Sequence, residues 1–134
     1  MTREIIQPST IVDPRPRYSQ GIKTTGGSLL FIAGQTAVDA SGQVVGKGDI
    51  TRQAEQVFEN LRAVLEAAGG TFDNLVMTTT FLTDIRYRAA FGEVRSRYYR
   101  GEGPASTLVV VQSLANPDLL VEVDGIAVLQ PAIP

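Results

Sequence analysis

The sequence predicts an α+β fold, a mixed sheet with two helices on one face. Residues 50–68 hold a clear amphipathic repeat, and a second helical repeat follows Asp84. The other apolar residues gather in short β-branched runs bounded by Gly, Pro, Asn and Asp. With 134 residues and no linker, low-complexity stretch or internal repeat, the chain is expected to form a single domain, 1–134.

Taken in order, the chain begins with proline punctuation: Pro8, Pro14 and Pro16 keep residues 7–17 extended or turned. Residues 20–25 and 28–33 read as strands. Gly26-Gly27 between them suits a primed hairpin turn, whose two central residues need positive φ. A second hairpin is expected around Asp39-Ala40-Ser41-Gly42, with residues 43–45 returning. In the first helix Ala54, Val57, Phe58, Leu61, Val64, Leu65 and Ala68 form one stripe, opposite Arg52, Glu55, Gln56, Glu59, Arg62 and Glu66. Asp49 or Thr51 caps its start, and Gly69-Gly70 offers the left-handed conformation that ends it.

Residues 75–82, with Val76, Thr78, Thr79, Thr80 and Phe81, predict a buried strand. Asp84 caps a helix whose apolar positions are Tyr87, Phe91, Val94 and Tyr98, and Gly101-Glu102-Gly103-Pro104 breaks it. Two strands close the chain, 107–111 and 119–129, joined across the turn tripeptide Asn116-Pro117-Asp118. Two helices cover one side of a sheet only, yet Leu29-Leu30-Phe31-Ile32 and Leu108-Val109-Val110-Val111 are apolar on both faces. Nothing is left in the chain to cover the second face, so the expected partner is another copy of itself.

Composition narrows the chemistry. The 12 basic and 14 acidic residues give a net charge of -2, which argues against a dedicated binder of nucleic-acid backbones. The chain has no Cys and no His. That removes disulfides, a thiol nucleophile, cysteine zinc sites and the commonest general base. Acid–base work is left to carboxylates, Tyr, Lys, backbone groups and water, with neither metal nor cofactor expected. No apolar run approaches the ~18 residues of a membrane span, and the N-terminus lacks the apolar core of a signal peptide. The expected address is the cytoplasm.

The last strand carries the most information. Alternation puts Val121, Val123, Gly125, Ala127 and Leu129 on one face, and Glu122, Asp124, Ile126 and Val128 on the other. Two carboxylates in line with aliphatics describe either a strand entering solvent or a proton shuttle on a surface dried by a neighbouring subunit. Spacing alone does not choose. Tyr18, just before a strand, is either a pocket rim or an amphipathic surface aromatic. Arg86, Arg88, Arg95, Arg97 and Arg100 with Tyr98 and Tyr99 have the composition of a nucleic-acid platform, but the acidic total favours a solvated helix face. The segment Gly42-Gln43-Val44-Val45-Gly46-Lys47-Gly48 has the wrong spacing for a phosphate loop.

Several segments occur together and in order: Tyr18-Ser19-Gln20-Gly21, Ala33-Gly34-Gln35, Glu66-Ala67-Ala68-Gly69, Thr79-Thr80-Phe81-Leu82-Thr83-Asp84, Pro104-Ala105-Ser106-Thr107 and Val121-Glu122-Val123. In these the sequence resembles the Rid family (reactive intermediate deaminases, also called YjgF or L-PSP proteins) over residues 18–129. The resemblance implies a chorismate-mutase-like fold and a homotrimer with small-molecule clefts between subunits. It also implies cofactor-free hydrolysis of imines and enamines of 2-keto acids. Carried over residue by residue, Tyr18 and Glu122 are the candidate catalytic residues, and Gly34, Ala33, Ser106 and Thr107 line the pocket. Two positions depart from the pattern. Ser106 stands where the family has the arginine that clamps the substrate carboxylate, and Ala33 replaces a serine. The loop before Pro104 is also shorter. Serine offers one hydroxyl and no charge where arginine offers a bidentate fork, which argues against the usual 2-imino acids as substrates. Arg15, Arg17 and Lys23 are candidate replacement cations near Tyr18.

The expected function is hydrolysis of a C=N or enamine C–N bond in a small metabolite, with Glu122 as general acid/base. The missing arginine favours the alternative, a trimer that binds a metabolite without turning it over. A ribonuclease or translation inhibitor ranks below both, because the acidic balance disfavours nucleic acid.

Overall fold

The computed structural model describes residues 2–130. It has six strands: β1 (Thr2–Ile6), β2 (Gly21–Thr25), β3 (Ser28–Thr36), β4 (Leu75–Leu82), β5 (Ala105–Val110) and β6 (Val121–Leu129). Helix α1 (Ile50–Ala67) lies between β3 and β4, and α2 (Arg88–Tyr98) between β4 and β5. The main sheet has the order β3-β6-β4-β5, antiparallel except for the parallel β4–β5 pair. The expected mixed sheet with two helices is present.

The helix expected over 50–68 ends within a residue of its observed limit. Asp49 caps it by accepting the Arg52 N–H at 3.1 Å, and Gly69 at φ +83 terminates it. Ala54, Val57, Phe58, Leu61 and Leu65 are fully buried against the sheet, with Val121, Val123 and Ala127 of β6 in the same core. Gln53 is buried as well, a position the apolar stripe does not include. Its amide donates to the Asp118 carbonyl and accepts the Leu120 N–H, both at 2.8 Å, and so fastens α1 to the turn that feeds β6. Asn60, two turns further on, donates to the carbonyls of Thr36 and Val38 and holds the end of β3.

Asp84 caps a single 3₁₀ turn, Ile85–Tyr87, that runs into α2, rather than α2 itself. Phe91 and Val94 are buried, and Tyr87 and Tyr98 pack on the core as the spacing predicts. An aromatic cluster joins the two helices: Phe58 stacks on Tyr98 at 5.0 Å and meets Phe91 at 5.7 Å.

Two expectations are corrected at the N-terminal end. Gly26 and Gly27 do have positive φ (70 and 79), but β2 and β3 do not form a hairpin ladder. The partner of β2 is β1, which the sequence reading leaves unassigned; Thr2 pairs with Thr25 and Ile6 with Gly21. The partner of β3 is β6, with Ser28 opposite Leu129. The second hairpin is present in reduced form, as a Val38–Val44 bridge closed by Asp39 N–H to the Gln43 carbonyl.

The β3–β6 ladder contains a bulge. Ile32 faces Gly125 and Gln35 faces Val123, so Ala33 and Gly34 together stand opposite Asp124. On the sheet face away from the helices, Leu29 is 63% exposed, Phe31 70% and Val109 40%.

Candidate functional site

Glu122 and Gly34 are brought together by the bulge. Register places Glu122 opposite Thr36 on one side and Phe81 on the other, on the face that the helices leave open. Its carboxylate lies directly over Gly34: a Cβ added there would collide with the carboxylate and stand 2.8 Å from Cδ. Only a residue without a side chain lets the carboxylate rest on the bulge. Among the described residues Glu122 makes no ion pair and no side-chain hydrogen bond, so its oxygens are free for a ligand or water. Asp124, its neighbour on that face, is committed to structure, accepting the Thr79 N–H at 3.0 Å.

Tyr18 is placed by a different set of contacts. The Ser19 N–H donates to the Pro104 carbonyl at 3.0 Å, and the Ser19 hydroxyl to the Gly103 carbonyl at 2.6 Å. The Gly103 N–H returns to the Pro16 carbonyl at 3.2 Å, and Ser19 bridges Ala105 in parallel fashion. Half-buried Tyr18 therefore sits at the start of β5, one residue before the Ser19–Ala105 bridge. Ser106 pairs with buried Thr78, which turns it toward the helix-covered face, whereas Thr107 pairs with Thr79 on the open one.

The candidates thus form two groups within one chain. Ala33, Gly34 and Glu122 lie at the bulge, and Tyr18 and Ser106 at the root of β5. Three residues along β4 and two strand spacings separate Glu122 from Ser106, roughly 14 Å. Two clefts on the chain's own surface, of about 280 and 500 Å³, border the α2–β5 loop and the aromatic cluster, and neither is lined by Glu122 or Tyr18. Among the described residues no three of His, Cys, Asp and Glu gather in metal-binding geometry.

The proposed replacement cations separate clearly. Arg15 is taken by Asp13 at 2.7 Å and lies 3.7 Å from Glu102. The Arg15 guanidinium in turn holds the Asp13 carboxyl down at about 2. Lys23 is exposed and faces Glu4 across the β1–β2 ladder. Arg17 makes no ion pair among the described residues. The residue that sequence reasoning missed is Arg95. It belongs to the run of arginines read as a solvated face, but burial lowers its pKa, and the charges of Arg17 and Arg88 lie close enough to push the same way. Its spacing holds the signal: Arg95 is four residues from Phe91 and four from Tyr99, on the apolar stripe of α2.

A family model described as Endoribonuclease L-PSP matches residues 9–129. The chain belongs to the L-PSP family, known also as Rid or YjgF. A protein of the Rid family from Yersinia pestis, YyfB, has a solved structure that superposes with a TM-score of 0.88 at 34% identity, covering 96% of this chain and all of that one. RidA from an Antarctic Psychrobacter matches with a TM-score of 0.72 at 31% identity over 94% of this chain and 99% of its own. Among curated relatives, protein DfrA of Myxococcus xanthus is 41% identical over 83% of this chain and 84% of its own length. A RutC family protein of Saccharolobus solfataricus is also 41% identical, over 93% of this chain and 97% of its own. Among the described residues of this Rid-family chain no helix is long and apolar enough to cross a membrane.

Proposed function

We propose that this Rid-family chain is one subunit of a homotrimer that hydrolyses the C–N bond of a small imine or enamine, without a cofactor, in clefts between subunits. The separation of the two residue groups carries the reading. Among the described residues Glu122 lies unpartnered on an exposed apolar sheet face, and Ser106, in the group that holds Tyr18, lies roughly 14 Å away on the edge strand β5. A second copy packed on that face supplies one group opposite the other. It also removes water from Leu29, Phe31 and Val109.

The chemistry needs only a placed water and a proton shuttle. Water adds to the imine carbon, the C=N π electrons move to nitrogen, and nitrogen takes a proton. The carbinolamine then loses ammonia and leaves a carbonyl, so that C=N plus H₂O gives C=O plus NH₃. Glu122 takes the proton from the attacking water and delivers it to the leaving nitrogen. Backbone at Ala33-Gly34 and the hydroxyls of Tyr18 and Thr107 orient the substrate, while Ser106 is turned to the helix side.

Imine lifetime tests this. Amino-acid imines are generated by an oxidase with semicarbazide as the trap, and the panel includes imines with and without a carboxylate. Addition of the protein lowers trapped product if the reading is right. No fall with any imine rejects it in favour of a trimer that binds without turnover, the reading that Ser106, uncharged and turned to the helix side, supports. The ribonuclease implied by the family's name gains little from the α2 region, where Arg86 and Arg97 are already paired with Asp84, Glu55 and Glu93.

A further inference from the structure

The arginines of the α2 region divide by face. Arg86 and Arg97 are neutralised by carboxylates at 2.6 to 2.8 Å. Arg88 and Arg95, seven residues apart, share another face with Phe91 between them. The Arg95 guanidinium folds back along the helix, 5.6 Å from the Phe91 ring centre, with Nη2 3.7 Å from where a Cβ on Gly92 would stand. At the far end of this face the Gly103 loop is wedged against Tyr99: a Cβ on Gly103 would stand 3.2 Å from the Tyr99 ring and 2.7 Å from the Arg17 carbonyl. The hydrogen bonds from Gly103 to Pro16 and from Ser19 to Gly103 fasten the Arg17-Tyr18 segment there. Arg95 consequently feels Arg17 and Tyr18 as well as Arg88 and Tyr99.

Among the described residues none of Arg17, Arg88 and Arg95 meets a carboxylate. A half-buried guanidinium flanked by like charges is unfavourable for stability when only an aromatic ring, here Phe91, offsets the desolvation and repulsion. Its planar fork of donors is complementary to a carboxylate or a phosphate. We infer that Arg95, with Arg17 and Arg88 beside it, forms an anion site next to Tyr18 that takes the carboxylate of a small organic acid. The inference deepens the proposed function and rests on Tyr18 being a cleft residue. It restores through α2 a charge that Ser106 cannot supply from β5. Carboxylate is favoured over phosphate because a single half-buried fork, with the other two arginines exposed, matches one planar anion.

Calorimetric titration of the full chain tests it, independently of turnover. The probes are 2-oxobutanoate, the neutral butanone and inorganic phosphate. The wild type is expected to bind 2-oxobutanoate, to ignore butanone and to bind phosphate more weakly. Arg95→Met keeps an unbranched apolar side chain next to Phe91 and removes the fork, and weakens 2-oxobutanoate by at least about tenfold. Arg97→Met leaves binding unchanged, and Glu122→Gln retains it even where hydrolysis is lost. Undiminished affinity in a folded Arg95→Met, or no binding of 2-oxobutanoate by the wild type, overturns the site; phosphate binding more tightly overturns the ligand class. Should Arg95→Met fail to fold, Arg17→Met in the adjoining loop replaces it, and unchanged affinity there overturns the cluster. Failure of the imine assay with binding intact would reject hydrolysis while leaving this site standing.

Discussion

Gly34 and Glu122 constrain each other. The carboxylate occupies the space a Cβ at position 34 would need, and the atoms in conflict are the free end of a flexible side chain. Gly34→Ala therefore displaces the carboxylate at little cost to the fold, within about 1 kcal/mol. On the proposed mechanism it lowers imine hydrolysis about as much as Glu122→Gln, on the order of 10²-fold, without changing assembly. Thermal melts and the trap assay on both variants check this, and full activity in Gly34→Ala would remove the Glu122 carboxylate from proton transfer. Residue by residue, the sequence made some of this pairing legible. Period two put Glu122 on the strand face opposite Val121 and Val123, and the resemblance singled out Gly34. The bulge that joins them was not legible, because an extra residue in a ladder leaves no mark on alternation until its partner strand is known. Arg95 was obscured for a related reason: a charged residue on an apolar stripe looks like one of several surface arginines until the stripe's neighbours are known.

At the scale of elements, patterns that repeat within one segment were read correctly, and pairings between distant segments were not. Helix α1 was readable because eighteen residues carry one stripe and both caps. Strand β1 was missed because Thr2–Ile6 is short, half-polar and paired with residues some twenty positions away. The Gln53 staple belongs to the same class, a buried polar group whose partners lie sixty-odd residues on. Gln53→Ala leaves the Leu120 N–H and the Asp118 carbonyl unpaired at a part-buried site and costs about 1–3 kcal/mol, measured by denaturant unfolding. A loss under 0.5 kcal/mol would show that water replaces the amide. The helix-joining aromatic cluster makes a second element-scale prediction. Burial pushes the Tyr98 and Tyr99 hydroxyls up to about 12, with the Glu59 carboxylate adding to the effect at Tyr98. The folded state holds the neutral phenols, so their contribution is complete below the ordinary tyrosine value near 10 and is lost as pH rises toward 12. Tyrosinate absorbance followed with pH is expected to show two of the 4 tyrosines ionising late and together with unfolding. All four titrating near 10 in a still-folded protein would contradict the buried cluster.

For the whole molecule, the deciding feature is a sheet finished on one side only. The helices bury Val121, Val123 and Ala127 on the inner face, while Phe31 and Leu29 project from the outer face next to Ile126 and Val128 of β6. Removing an exposed Phe of this size from water is worth about 2 kcal/mol per copy, and a closed ring repeats the gain at each interface. Phe31→Glu reverses that term and places a third carboxylate on the face that already holds Glu122 and Asp124. The variant is expected to sediment as a monomer with its helices intact, since Phe31 makes no part of the inner core. If the clefts lie between subunits, this monomer also loses imine hydrolysis, although Tyr18, Gly34 and Glu122 are all still present. Sedimentation velocity and the trap assay on one preparation decide the matter. A monomer that retained full activity would place the chemistry within a single chain, where roughly 14 Å and opposite sheet faces separate the two groups, and would therefore require a different set of working residues.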